Sequence, residues 1–139
     1  MGKRKINIIG STFAGDKSAT HGKDSKYIEW VTDGSSDVSV HVDDGLFQPP
    51  ITSKRFGWIL ESQAIVPQVY ANAPNVLDNY ECIFTHSKEL LDLDSRFKLA
   101  PVGTHWIKKP EIFKKTKKVS MIASNKVMCL GHAIRHGWI

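Results

Sequence analysis

The order of short apolar runs along this chain constrains its fold more than any other feature. Lys5-Ile6-Asn7-Ile8-Ile9-Gly10 is β-branched and closed by glycine, so it reads as a buried strand. Residues 11–26 are polar and rich in Gly and Ser, which predicts a loop. Tyr27 to Val31 is a short candidate strand. Val38-Ser39-Val40-His41-Val42 alternates at period two, and Asp43-Asp44-Gly45 ends it. Gln48-Pro49-Pro50 is an extended turn that helix cannot enter. Arg55 to Leu60 predicts another strand, which runs into Glu61-Ser62.

Ala64 to Ala73 has helical spacing, with Ile65, Val69 and Ala73 on one stripe. Ser62 is the expected N-cap, and Pro67 falls in the first turn, where proline is tolerated. Glu81 to Thr85 predicts a strand, Lys88 to Leu93 a short helix, and Phe97 to Val102 a further strand. After a basic segment, Val119 to Ser124 reads as a strand and Leu130 to Trp138 as the start of a helix.

Strands alternating with short helices imply βαβ units and a mostly parallel sheet with right-handed crossovers. The expected fold is therefore α/β, a Rossmann-like three-layer domain. Ligands of such sheets sit at the carboxyl ends of strands. That rule singles out Gly10-Ser11, Glu61-Ser62, Thr85-His86, Gly103-Thr104 and Ser124-Asn125.

Composition excludes several classes. The chain has 139 residues, 41% apolar and 24% charged, which suits a globular domain that needs no disulfide or metal to fold. The two cysteines, Cys82 and Cys129, lie in apolar runs and are expected to be buried thiols in a reduced compartment. No apolar stretch reaches the roughly 20 residues that cross a bilayer. The run from Ile6 to Ile9 is too short for a signal peptide, so the expected location is cytoplasmic. The formal charge is +5, and six lysines fall between Lys108 and Lys118 with only Glu111 opposing them. Such a run can attract a polyanion or phosphate, but it lacks the interleaved aromatics of a base-stacking surface, so a solvated connector is expected and no nucleic-acid partner.

Glu61 follows an apolar strand and precedes a helix, where a carboxylate can act as a general base or simply favour the helix dipole. Of six histidines, only His132 and His136 share helical spacing, and Ala133 occupies the place where a helical zinc motif carries glutamate. No metal site is expected. Gly10 to Gly15 lacks the dinucleotide spacing, and no phosphate-cradling loop is present. Ser124-Asn125 closes a strand and Arg135 lies one element on, an arrangement that suits a pyrophosphate.

In their order these segments resemble the α1,3-fucosyltransferase-like glycosyltransferases, which pair two Rossmann-like domains in the GT-B arrangement. Three stretches carry the resemblance. Arg55-Phe56-Gly57-Trp58-Ile59-Leu60-Glu61-Ser62 resembles the family's apolar strand ending in Glu-Ser. Tyr80 to Gly103 is similar to its strand, helix and strand ending in Pro-x-Gly, and Lys117 to Asn125 to its lysine-led strand ending in Ser-Asn. Gln63 stands where the family often has proline, which leaves the acceptor loop and the sugar specificity open.

The resemblance implies an acceptor-side domain over 1–106, a linker over 107–118, and the start of an incomplete donor domain over 119–139. It implies Glu61 as catalytic base, with Ser62, Ser124, Asn125 and Arg135 binding substrate. Glu61 would take the acceptor hydroxyl's proton in a direct displacement at the anomeric carbon, and Arg135 would steady the leaving nucleotide diphosphate. The donor would be a nucleotide-diphosphate sugar such as a GDP-sugar and the partner a carbohydrate acceptor, with no cofactor required. A chain limited to these residues is expected to be inactive or nearly so. Two other readings stand beside it: a non-enzymatic flavodoxin-like module that binds a sugar or phosphate, and a homodimer formed through an exposed apolar face.

Overall fold

The computed structural model describes residues 2–10, 26–100, 114, 116–118 and 125–137. The chain divides into two compact units, Met1–Val102 and Gly103–Ile139. The first unit carries strands β1 (Arg4–Ile9), β2 (Ile28–Val31), β3 (Val38–Val42), β4 (Lys54–Trp58), β5 (Cys82–Thr85) and β6 (Phe97–Leu99). Its helices are α1 (Pro67–Val76) and α2 (Lys88–Leu93), with 3-10 turns at Asp43–Phe47 and Leu77–Asn79. In the second unit, the described residues contain α3 (Leu130–His136).

The six strands form one sheet in the order β2-β1-β3-β4-β5-β6, and every neighbouring pair is parallel. The fold is α/β and Rossmann-like, and among the described residues the sheet is wholly rather than mostly parallel. β3 lies inside it, which explains why Val38, Ser39, His41 and Val42 are all buried although they alternate between faces.

Register explains an unusual connection. A parallel crossover ordinarily needs about a dozen residues, because the chain must return along the strand. Here Val31 of β2 and Ser39 of β3 both lie level with Asn7 of β1. The chain therefore has almost no return to make, and residues 32–37 suffice. Asn7 is fully buried and pins this link: its Nδ2 donates to the Ser36 carbonyl at 2.9 Å and its Oδ1 accepts from the Gly34 amide at 3.1 Å. Gly34 has φ +76°, a backbone that favours glycine.

The main apolar cluster joins Leu46 of the first 3-10 turn, Ile59, the α1 residues Val69, Tyr70 and Ala73, and Leu77, Tyr80, Ile83, Leu90 and Phe97. Burying an aliphatic side chain of this kind stabilises the fold by about 1.5–3 kcal/mol. Gly57 makes room for it, since a Cβ there would stand 2.6 Å from Leu46 Cδ2 and 2.8 Å from Ile83 Cγ1.

Several sequence expectations shift. α1 begins at Pro67 and not at Ala64, because proline at the first helical position sets φ and leaves Val66 as a cap without a side-chain bond. Ser62 is thus not the N-cap; its carbonyl instead closes a turn by accepting the Ile65 and Val66 amides. α1 then runs through Pro74 to Val76, as Ala73 and Leu77 remain buried against the sheet. β4 stops at Trp58, although the Ile59 amide still reaches the Phe84 carbonyl. β6 ends at Leu99, and the expected strand at 119–124 lies outside the described residues, as does most of the 107–118 linker. Cys82 and Cys129 are free and half-buried rather than buried. No described helix is long and apolar enough to cross a membrane.

Candidate functional site

Strand order reverses at β1, whose two neighbours are the next two strands in the chain, β2 on one side and β3 on the other. In open parallel sheets the crevice outside the carboxyl ends at such a point is the usual ligand site. Here a crevice of about 460 Å³ is lined by Ile9, Gly10, Asp44, Gly45, Gln48, Pro49 and Ile51. Two glycines shape it. Gly10 has φ +144°, and a Cβ there would lie 2.4 Å from the Val42 carbonyl oxygen. A Cβ on Gly45 would lie 2.4 Å from the Ile9 carbonyl oxygen. The ends of β1 and β3 therefore meet backbone to backbone, and a side chain at either glycine would separate them.

The next gap, between β3 and β4, is closed by one side chain. Val42 is level with Trp58, so the residue after β3 faces the chain leaving β4. That residue is Asp43, held at φ +48°. Its Oδ1 accepts the Leu60 amide at 2.8 Å and the Glu61 amide at 3.1 Å. These two N–H groups have just left the ladder, and Asp43 satisfies them. A non-glycine residue at positive φ costs on the order of 1–3 kcal/mol; two charge-assisted bonds offset it. Asp43 is 2% exposed, and its Oδ2 is buried without a hydrogen-bond partner among the described residues. Burial raises the Asp43 pKa; the two amides oppose that shift, and the charges of Glu61 and Asp44 add to it.

Glu61 is half-buried, and its main chain is held on both sides. Asp43 takes its amide, and the Tyr70 hydroxyl of α1 donates to its carbonyl at 2.6 Å. Tyr70 Oη also lies 3.2 Å from His86 Nε2 at the end of β5. Since the phenol proton is committed to Glu61, the imidazole Nε2–H is the donor in that second bond. The phenol pKa is pushed up to about 12, first by burial and then by the negative charges of Asp43 and Glu61, so Tyr70 stays a donor. Ser62 is exposed beside this group.

A second set of bonds supports the turn from beneath. His41 Nδ1 lies 2.9 Å from the Gly45 carbonyl and its Nε2 lies 3.0 Å from Ser39 Oγ. The carbonyl can only accept, so Nδ1 carries the proton. Burial lowers the His41 pKa, with the nearby Arg55 charge acting in the same direction. Tyr80 packs its ring edge-on against His41 at 5.4 Å and donates its hydroxyl to the Leu46 carbonyl at 2.8 Å. The loop between β3 and β4 is thus anchored through consecutive carbonyls.

The structure therefore brings Glu61 and Ser62 to the carboxyl edge of β4, together with Asp43, Tyr70 and His86. Ser124 lies outside the described residues. Asn125 is exposed and Arg135 half-buried, both in the second unit, Arg135 on α3. His132 and His136 are engaged locally: His132 Nδ1 accepts the Met128 amide at 3.1 Å, and His136 Nε2 lies 3.2 Å from the Lys126 carbonyl. Sequence reasoning assigns no functional role to Asp43 or Tyr70 and does not count the end of β3 among the candidate strand ends. An acid directly after a period-two strand, followed by Gly45, is the available signal, and in the sequence it marks only the end of that strand. Comparison with family models, characterised proteins and solved structures gives no match for this chain.

Proposed function

We propose that the chain is part of a glycosyltransferase of GT-B type, which moves a sugar from a nucleotide-diphosphate sugar to an acceptor hydroxyl. One observation carries this reading: Glu61 stands at the carboxyl end of β4 with its amide held by Asp43 and its carbonyl by Tyr70. A general base has to reach one proton in one geometry, and a residue fixed through both main-chain groups meets that need. Glu61 takes the proton from the acceptor hydroxyl as that oxygen attacks the anomeric carbon, and the bond to the nucleotide diphosphate breaks. Ser62 binds the acceptor beside it. Asn125 and Arg135 of the second unit, with Ser124, are assigned to the diphosphate, whose developing charge a guanidinium stabilises through paired hydrogen bonds. The resemblance of these segments to the fucosyltransferases favours a GDP-sugar as donor and leaves the sugar itself open.

Calorimetric titration tests it. GDP is expected to bind the 139-residue chain, to lose affinity in Arg135→Ala and to be unaffected by Glu61→Gln. An acceptor disaccharide should show the reverse. If both substitutions leave both affinities unchanged, the assignment is wrong.

A second reading rests on topology. The order β2-β1-β3-β4-β5 is that of flavodoxin-like sheets, whose ligand sits between β1 and β3. In that case the crevice at Gly10 and Gly45 binds a small molecule and Glu61 turns nothing over.

A further inference from the structure

A second concavity lies elsewhere on the first unit and shares no lining residue with the crevice or with the Asp43, Glu61 and Tyr70 group. It has a volume of about 270 Å³ and is lined by Phe47, Gln68, Asn72, Asn75 and Val76. Phe47 ends the 3-10 turn after β3 and is 42% exposed, while the other four lie on α1. Gln68, Asn72 and Asn75 are spaced i, i+4, i+7, so the three amides share one helix face.

We infer that this groove binds one neutral pyranose ring, stacked on Phe47 and hydrogen-bonded by the three amides. The chemistry of the lining selects the ligand. None of the five residues is charged, so nothing compensates a phosphate or carboxylate. A purely apolar ligand would strip water from three amides and return no bonds. A sugar ring fits both constraints, since its C–H face covers an aromatic ring and its hydroxyls donate and accept as amides do. The volume lies just below the roughly 300–1,000 Å³ of drug-sized sites, suiting one ring better than a nucleotide or a peptide.

Two details indicate a prepared surface. Asn72 Nδ2 donates to the Gln68 carbonyl at 2.8 Å, which orients that amide and leaves its Oδ1 as the acceptor. Asparagine is also a poor helix former, yet a helix of ten residues carries Asn72 and Asn75 besides Pro74. Residues that break local preference without a packing gain mark functional positions.

Amide-resolved NMR titration of the 139-residue chain decides the matter, with methyl β-glucopyranoside and cellobiose as neutral probes and glucose 6-phosphate as the charged one. The neutral sugars are expected to give saturable shifts at Phe47, Gln68, Asn72 and Asn75 with millimolar dissociation constants. Phe47→Ala and Asn75→Ala, both at exposed positions, should each weaken binding about tenfold. Glu61→Gln should leave these shifts intact, which separates this site from the proposed catalytic one. Absence of saturable shifts for either neutral sugar, tighter binding of the phosphate, or binding that Phe47→Ala leaves unweakened overturns the inference.

Discussion

Asp43 Oδ1 lies 3.1 Å from the Glu61 amide nitrogen, so the first residue after β3 holds the catalytic candidate that follows β4. The bond crosses eighteen positions of sequence and continues the β3–β4 pairing past its last register pair, Val42 and Trp58. Removing the acceptor should therefore loosen Glu61 first. Asp43→Ala keeps the positive φ and leaves the Leu60 and Glu61 amides without an acceptor, and is expected to cost about 2–4 kcal/mol in urea unfolding. Asp43→Asn tolerates the same φ and retains a carbonyl oxygen, so its cost should be about 1 kcal/mol.

The same carboxyl predicts a pH dependence. Folding raises its pKa above 3.8, so the native chain holds the proton more tightly than the unfolded one. Asp43 then opposes folding progressively as pH rises from 3.8 to its native value, and by a constant amount above that. Unfolding curves across this range should show a downward slope in wild type that Asp43→Asn lacks.

His41 acts with the opposite sign. Its native pKa lies below 6.5, so the unfolded chain takes up the proton first and stability falls as pH drops from 6.5 toward the native value. His41→Asn, which can still donate to Gly45, should lose that acid-side slope while remaining folded at neutral pH.

Glycine substitutions separate close approach from backbone freedom. Gly45→Ala would force a Cβ to 2.4 Å from the Ile9 oxygen, and should cost about 2 kcal/mol or more by thermal unfolding. Gly34→Ala meets no atom within 4 Å and carries only the strain of its positive φ, so it should cost about 1 kcal/mol.

Two serines test where the helices begin. Ser87 caps α2, its side chain accepting the Leu90 amide, and Ser87→Ala should cost about 1 kcal/mol. Ser62 caps nothing, so Ser62→Ala should fall within about 0.5 kcal/mol of wild type. Equal losses would restore Ser62 as a cap.

What the sequence disclosed follows from how local each signal is. β3 and α2 match their expected bounds residue for residue, because period-two alternation and a short amphipathic run need no partner to be recognised. Pro67 held the true start of α1, but the helical stripe through Ile65 outweighed it. Glu61 was visible from its place after an apolar strand. Asp43 was not, since its role depends on Val42 standing level with Trp58. Tyr70 was hidden for a similar reason: burial on α1 is legible, whereas a hydroxyl reaching back to the Glu61 carbonyl is not. The short β2–β3 link depends on the offset at Asn7, which only pairing reveals.

Under the proposed function, the Glu61 edge is where an acceptor sugar meets its base. The most direct measurement is an amide-resolved NMR titration with an acceptor disaccharide, in wild type and in Glu61→Gln. Saturable shifts of the Leu60, Glu61 and Ser62 amides are expected in wild type, and their loss in the variant. Shifts confined to Gly10 and Gly45, or Glu61-edge shifts unchanged by the substitution, would contradict it.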